Sequence, residues 1–174
     1  MRSHPHRMAV GALACTWLTA ACARPSPPVP QTEVRAAPSA RELGTVSLER
    51  GPCFGTCPVY SVTVDRSGAV RFEGRRFVRD TGVSVGTVSP SAVDSLLAEL
   101  DGSGYFALED LYRMGEPVCP RFATDLPTVV TQVRIGERVK RIEHDRGCAD
   151  APEILSRLET RIDEVTGSAR WIGR

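Results

Sequence analysis

The chain has 174 residues, 41% of them hydrophobic and 25% charged, with 22 basic side chains against 21 acidic ones. That length supports one domain with a real core and is too short to divide comfortably into two. Near-neutral charge, with no long segment dominated by one sign, excludes a nucleic-acid footprint.

In residues 1–22, Arg2 and Arg7 precede an apolar run from Met8 to Leu18, which closes on Thr19-Ala20-Ala21-Cys22. A positive start, an apolar stretch too short to span a bilayer and small residues at its end predict an export signal. Small residues directly before Cys22 resemble the bacterial lipobox. That resemblance implies lipidation of Cys22 and a protein hung from a membrane by its N-terminal lipid, on the periplasmic side of the cell envelope. Thr19 stands where the lipobox has leucine, so ordinary cleavage at Ala21-Cys22-Ala23, leaving a soluble periplasmic protein, is the alternative. Loss of Arg2 and Arg7 takes the net charge from +1 to about −1. Residues 23–42 carry five prolines and few large apolar side chains, the composition of an extended linker. The folded domain is expected over 43–174.

Val46 and Leu48 alternate with polar neighbours and predict a first strand. A knot follows, Gly51-Pro52-Cys53-Phe54-Gly55-Thr56-Cys57-Pro58. Val59 to Val64 is a second strand with Tyr60, Val62 and Val64 on one face. Asp65-Arg66-Ser67-Gly68 turns the chain into a third strand with Val70 and Phe72 inward. Val83, Val85 and Thr87 suggest a fourth. Ser89 as N-cap and Pro90 at the first position open a helix, whose stripe is Val93, Leu96, Leu97 and Leu100. Residues 105–112 read as a helical turn that packs Phe106 and Leu111 into the core. Val129, Thr131, Val133 and Ile135 form a fifth strand. After a tight turn at Gly136-Glu137, Arg138 to His144 returns as a sixth. Asp150 and Glu153 form a capping pair before a last helix with Leu155, Leu158, Ile162 and Val165 on its apolar face, and Trp171 and Ile172 fold back onto the core. The expected architecture is α+β: an antiparallel sheet of five to six strands with two main helices on one face, in the order ββββ-α-ββ-α.

Once Cys15 leaves with the signal and Cys22 takes lipid, Cys53, Cys57, Cys119 and Cys148 remain. An even number in an exported chain predicts two disulfides. The favoured pairing is 53 with 57 and 119 with 148, and a crossed pairing is the alternative. The sharper reading of Cys-x-x-x-Cys-Pro is a Cu(I) or thiol-redox site, with Cys53, Cys57 and His144 as candidate metal ligands. Exported copper-delivery proteins use that spacing on a βαβ scaffold, whereas successive hairpins are predicted here. No helix N-terminus or adjacent cation activates the sulfurs. His144, at a strand end beside Asp145, is expected to be a solvated surface residue. Asp125 in Thr-Asp-Leu-Pro reads as a turn residue, Tyr60 and Tyr112 as core-edge residues, and Arg75, Arg76 and Arg79 as a solvated sheet face. No nucleophile-elbow, zinc-protease or phosphate-loop motif is present. No catalytic residue and no cofactor are implied.

The run Cys-Phe-Gly-Thr-Cys-Pro-Val-Tyr-Ser-Val-Thr-Val, Gly68, Phe72-Glu-Gly, Thr124-Asp125-x-Pro127 and the closing Leu158-Glu-x-x-Ile-Asp163 resemble an uncharacterised bacterial domain family of exported and lipid-anchored proteins. The likeness covers about 45–172 and implies a single domain of unknown function. Two expectations follow: a lipid-anchored envelope domain that binds an envelope protein or a small ligand, or a periplasmic copper or thiol-redox protein using Cys53 and Cys57.

Overall fold

A computed structural model describes residues 44–173. The expected export signal, lipidation of Cys22 and linker lie outside the described residues. The described chain forms β1 (Gly44–Arg50), β2 (Val59–Asp65), β3 (Ala69–Arg76), β4 (Gly82–Thr87), α1 (Pro90–Gly102), a 3-10 turn (Tyr105–Ala107), β5 (Leu111–Tyr112), β6 (Thr128–Ile135), β7 (Arg138–Asp145), α2 (Glu153–Thr166) and the short α3 (Ala169–Ile172). It is an α+β fold.

One seven-stranded sheet runs β4-β3-β2-β1-β6-β7-β5. All pairs are antiparallel except β5 with β7. The first strand of the domain is thus the central one. Period-two alternation sends Val46, Leu48, Val62, Val64, Val70, Phe72, Val129, Val133 and Ile142 to one face, where all are buried. Against that face lie Val93, Leu96, Leu97 and Leu100 of α1 and Leu155, Leu158 and Ile162 of α2. Val59 and Tyr60 are both buried although adjacent. The register slips between them, with Arg75 of β3 as the extra residue, and such a bulge bends and twists the pair locally. Tyr60, Phe72 and Trp171 stack at ring separations of 5.2 and 5.1 Å, so the chain's end does close onto the core.

Gly74 sits where β3 meets the return of the chain. A Cβ there would lie 2.0 Å from the Asp80 carbonyl oxygen and 3.0 Å from the Phe72 ring. Since the first obstacle is backbone, Gly74→Ala is expected to cost about 1–3 kcal/mol, read as a lower urea midpoint. An unchanged midpoint would mean that residues 78–80 move aside freely.

Several local expectations are corrected. The segment after α1 does make a helical turn and packs Phe106 half-buried against the core, but the side chains it buries fully are Tyr105 and Tyr112, and Leu111 stays half-buried outside the core cluster. Both tyrosine hydroxyls find partners, Tyr105 with Thr131 Oγ1 at 2.6 Å and Tyr112 accepting from the Glu109 amide at 3.1 Å, and a satisfied hydroxyl removes the penalty of burying the ring. Asp150 does not cap α2. The N-cap is Pro152, while Asp150 binds the backbone and guanidinium of Arg121. Ser89 is the N-cap of α1 and Pro90 its first residue, but the Ser89 hydroxyl meets Ser91 Oγ and no backbone amide.

Candidate functional site: a charged cleft at one end of the sheet

Register places the ends of several strands together. Arg50 lies opposite Tyr60 on one side and Val129 on the other; Val129 faces His144, and His144 faces Tyr112. The loops 51–58, 77–81, 113–127 and 146–152 therefore gather at the Arg50 end. Gly44, where the N-terminal segment joins, lies opposite Ile135 at the other end, about 20 Å away along the strand.

At the loop end a cleft of about 570 Å3 opens between the 51–58 loop, the 126–127 segment and the C-terminal ends of α2 and α3. Its walls include Cys57, Pro58, Leu126, Pro127, Ala169 and Ile172, and its floor Arg50, Tyr60, Asp163 and Ser168. β1 continues its inward face past Val46 and Leu48 to Arg50, so a charge arrives where a core residue would otherwise stand. α2 supplies Asp163 directly beside it. Arg50 Nη2 and Nε meet Asp163 Oδ2 at 2.7 and 2.9 Å. Tyr60 Oη and Ser168 Oγ both donate to Asp163 Oδ1 at 2.6 Å. Arg50 Nε also reaches Tyr60 Oη at 3.0 Å. The two charged side chains are only 19% and 20% exposed.

Electrostatics follow from that burial. The Tyr60 hydroxyl is held well above the ordinary phenol range, first by desolvation and then by the Asp163 carboxylate, with Arg50 offsetting only part of this. Desolvation is the largest single influence on Arg50 and pulls it down, but Asp163, Tyr60 and Glu159 together outweigh it and hold the guanidinium above its usual value. Tyr60 is accordingly a fixed donor and Arg50 a fixed cation.

Behind the floor lies a second pair. His144 Nδ1 meets Glu159 Oε1 at 2.6 Å, and both side chains are almost wholly buried, at 5% and 2% exposure. Arg146, which lines the cleft, reaches Glu159 Oε2 at 3.2 Å. The expectation of a solvated His144 is thus corrected. Period two puts His144 on the face of Ile142, and Glu159 comes from the inward stripe of α2 to compensate it.

The cysteines are bonded 53 to 57 and 119 to 148, with Cα separations of 5.8 and 5.2 Å. The first disulfide closes the 51–58 loop at the lip of the cleft; Phe54 at its tip is 88% exposed. The second joins the 113–127 loop to the loop after β7. His144 is engaged with Glu159, and the Cys53 and Cys57 sulfurs with one another, so the three candidate metal ligands do not converge. Among the described residues no group of three His, Cys, Asp or Glu side chains is placed to hold a metal ion. Asp125 adopts φ 73° in the turn before β6, and its carbonyl accepts from the Phe54 amide, joining the two lips of the cleft. Of the three arginines after β3, Arg75 pairs with Glu49 and Arg79 with Asp80, while Arg76 lies near the Phe77 ring. Sequence reading missed Arg50, Arg146 and Ser168 as site residues, and it met Asp163 only as part of a motif.

A family model described as a domain of unknown function (DUF6438) matches residues 44–166. The chain belongs to this family. The DUF6438 match spans Arg50, Tyr60 and Asp163 on the cleft floor, whereas Ser168 and Ile172 lie beyond it. No curated protein matches the chain significantly. Among the described residues of this DUF6438 chain, no helix is long and apolar enough to cross a membrane.

Proposed function

We propose that this is a non-catalytic binding domain of the bacterial cell envelope, held by a lipid on Cys22, and that it engages its partner or ligand through the cleft at the loop end. The observation that carries this reading is the cleft itself: concave, walled by apolar side chains and floored by a few fixed polar groups, the usual composition of a ligand site. Ser168, 1% exposed, has its hydroxyl spent on Asp163. His144 is occupied by Glu159. The floor therefore offers recognition groups without a poised nucleophile and base.

Two measurements test it. Mass spectrometry of the mature protein is expected to show N-terminal lipid on Cys22 and no free thiol; unmodified Cys22 removes the anchor. A photo-crosslinking residue is then placed at Leu126, on the cleft wall, or at Gln132, on the open sheet face. In cells, a discrete adduct is expected from Leu126 only, and it is lost when Ile172→Arg fills the cleft. Adducts from Gln132 alone, or from neither, overturn the cleft as the working surface. The copper or thiol-redox reading requires Cys53 and Cys57 as free thiolates, and a reducible, metal-responsive thiol pair in the unreduced protein would favour it.

A further inference from the structure

The polar groups of the cleft are not evenly spent. Asp163 accepts three hydrogen bonds from side chains, from Tyr60 and Ser168 at Oδ1 and from Arg50 Nε at Oδ2, and Arg50 Nη2 stands 2.7 Å from that same Oδ2 as an ion pair. Both oxygens of that carboxylate are thus engaged within the floor. Arg50 uses Nε and Nη2, while its Nη1 has no partner among the described residues. Among the described residues the Arg146 side chain uses only Nη1, on Glu159, and its Nε and Nη2 meet no partner. Glu164, the other acidic side chain lining the cleft, is paired with Arg161. The unspent capacity is thus guanidinium N–H donors, which call for an anionic acceptor, and guanidinium geometry suits a carboxylate.

The surroundings narrow the ligand further. Leu126, Pro58 and Ile172 offer apolar walls, and about 570 Å3 is far more than a bare anion fills. On the two lips, the backbones of Cys57 and Leu126 take no part in backbone hydrogen bonding among the described residues. An extended chain can use such groups, and an alkyl tail cannot.

Resting on the cleft as the binding site, we propose that it takes the C-terminal carboxylate of an extended peptide with apolar final residues. Arg50 and Arg146 hold the carboxylate, and Pro58, Leu126 and Ile172 receive the last side chains.

The test uses the oxidised chain and three probes: acetyl-Ala-Leu-Leu as the free acid, the same peptide as its C-terminal amide, and decanoate. Binding is followed by calorimetry and by amide chemical shifts. The free acid is expected to bind about tenfold or more tighter than the amide, the worth of a charge-assisted hydrogen bond, with shifts at Leu126 and Ile172. Arg146→Gln takes a partner from the buried Glu159, so its fold is first checked by a urea curve; in the folded variant most of the acid-to-amide difference is expected to be lost. Equal binding of acid and amide, or no binding of either, overturns the carboxylate assignment. Decanoate binding in preference to the peptide overturns the peptide. If Leu126 still crosslinks in cells after any of these results, the cleft stands and only its ligand class falls. If Leu126 crosslinks nothing, the cleft falls with it.

Discussion

Asp163→Ala is expected to lower the unfolding free energy by about 2–4 kcal/mol in urea at neutral pH, the largest loss from any single side chain of the cleft floor. The carboxylate is the acceptor for Arg50, Tyr60 and Ser168 at once, so its removal leaves one cation and two hydroxyls short of a partner in a site about four-fifths shielded from water. An unpaired buried charge costs more than the pair is worth, which gives the prediction its internal controls. Tyr60→Phe removes one donor, leaves every charge matched and is expected to cost about 1 kcal/mol. The double variant Arg50→Leu/Asp163→Leu removes both charges together and is expected to be milder than Asp163→Ala alone. Should Asp163→Ala cost no more than Tyr60→Phe, the floor is a solvated surface pair of little worth, and the fixed geometry argued for Arg50 goes with it.

Much of this network was within reach of the sequence, and its omission has a physical cause. The alternation that put Val46 and Leu48 inward also puts Arg50 inward, and the next strand brings Tyr60, the first residue of its own inward set, to the same end. A charge at the end of an inward row is the signal. Strand ends are ordinarily solvated, and that expectation masks it. The same expectation masks His144, although it continues the row of Ile142, and its partner Glu159 falls within the stripe of Leu155, Leu158 and Ile162. Burial of either residue alone would be prohibitive, so each becomes legible only once the other is placed. Asp163 carried no such signal. It neighbours Ile162 on the helix, and its link to Arg50 spans 113 residues, a tertiary fact without local trace. β5 was equally invisible. Two residues pairing in parallel with β7 leave no period to read, whereas the hairpins of β2 with β3 and β6 with β7 were plain from alternation and turn residues.

The two disulfides are expected to separate stability from recognition. Replacing Cys119 and Cys148 together by alanine should cost about 3–4 kcal/mol, and replacing Cys53 and Cys57 about 2 kcal/mol, because the cost of leaving a ring open in the unfolded chain grows with its length, and the separations are 29 and 4 residues. Packing pushes the same way: Cys119 and Cys148 are both buried in the core cluster, whereas the 51–58 loop keeps other ties, with the Gly51 amide donating to Thr128 and the Phe54 amide to Asp125. Cys57 and Pro58 nevertheless form part of the cleft wall, so loosening the small ring widens the site without unfolding the domain. Urea curves on the two double variants, followed by peptide titration at a temperature where both remain folded, give the comparison. The 119/148 variant should unfold early yet bind normally, and the 53/57 variant should stay stable yet bind weakly. Equal losses of stability would mean that residual structure in the unfolded chain already holds residues 119 and 148 together. Unaltered binding in the 53/57 variant would mean that the lip is shaped by Pro52, Pro58 and the two amide bonds alone, and that the disulfide beside the cleft has no part in recognition.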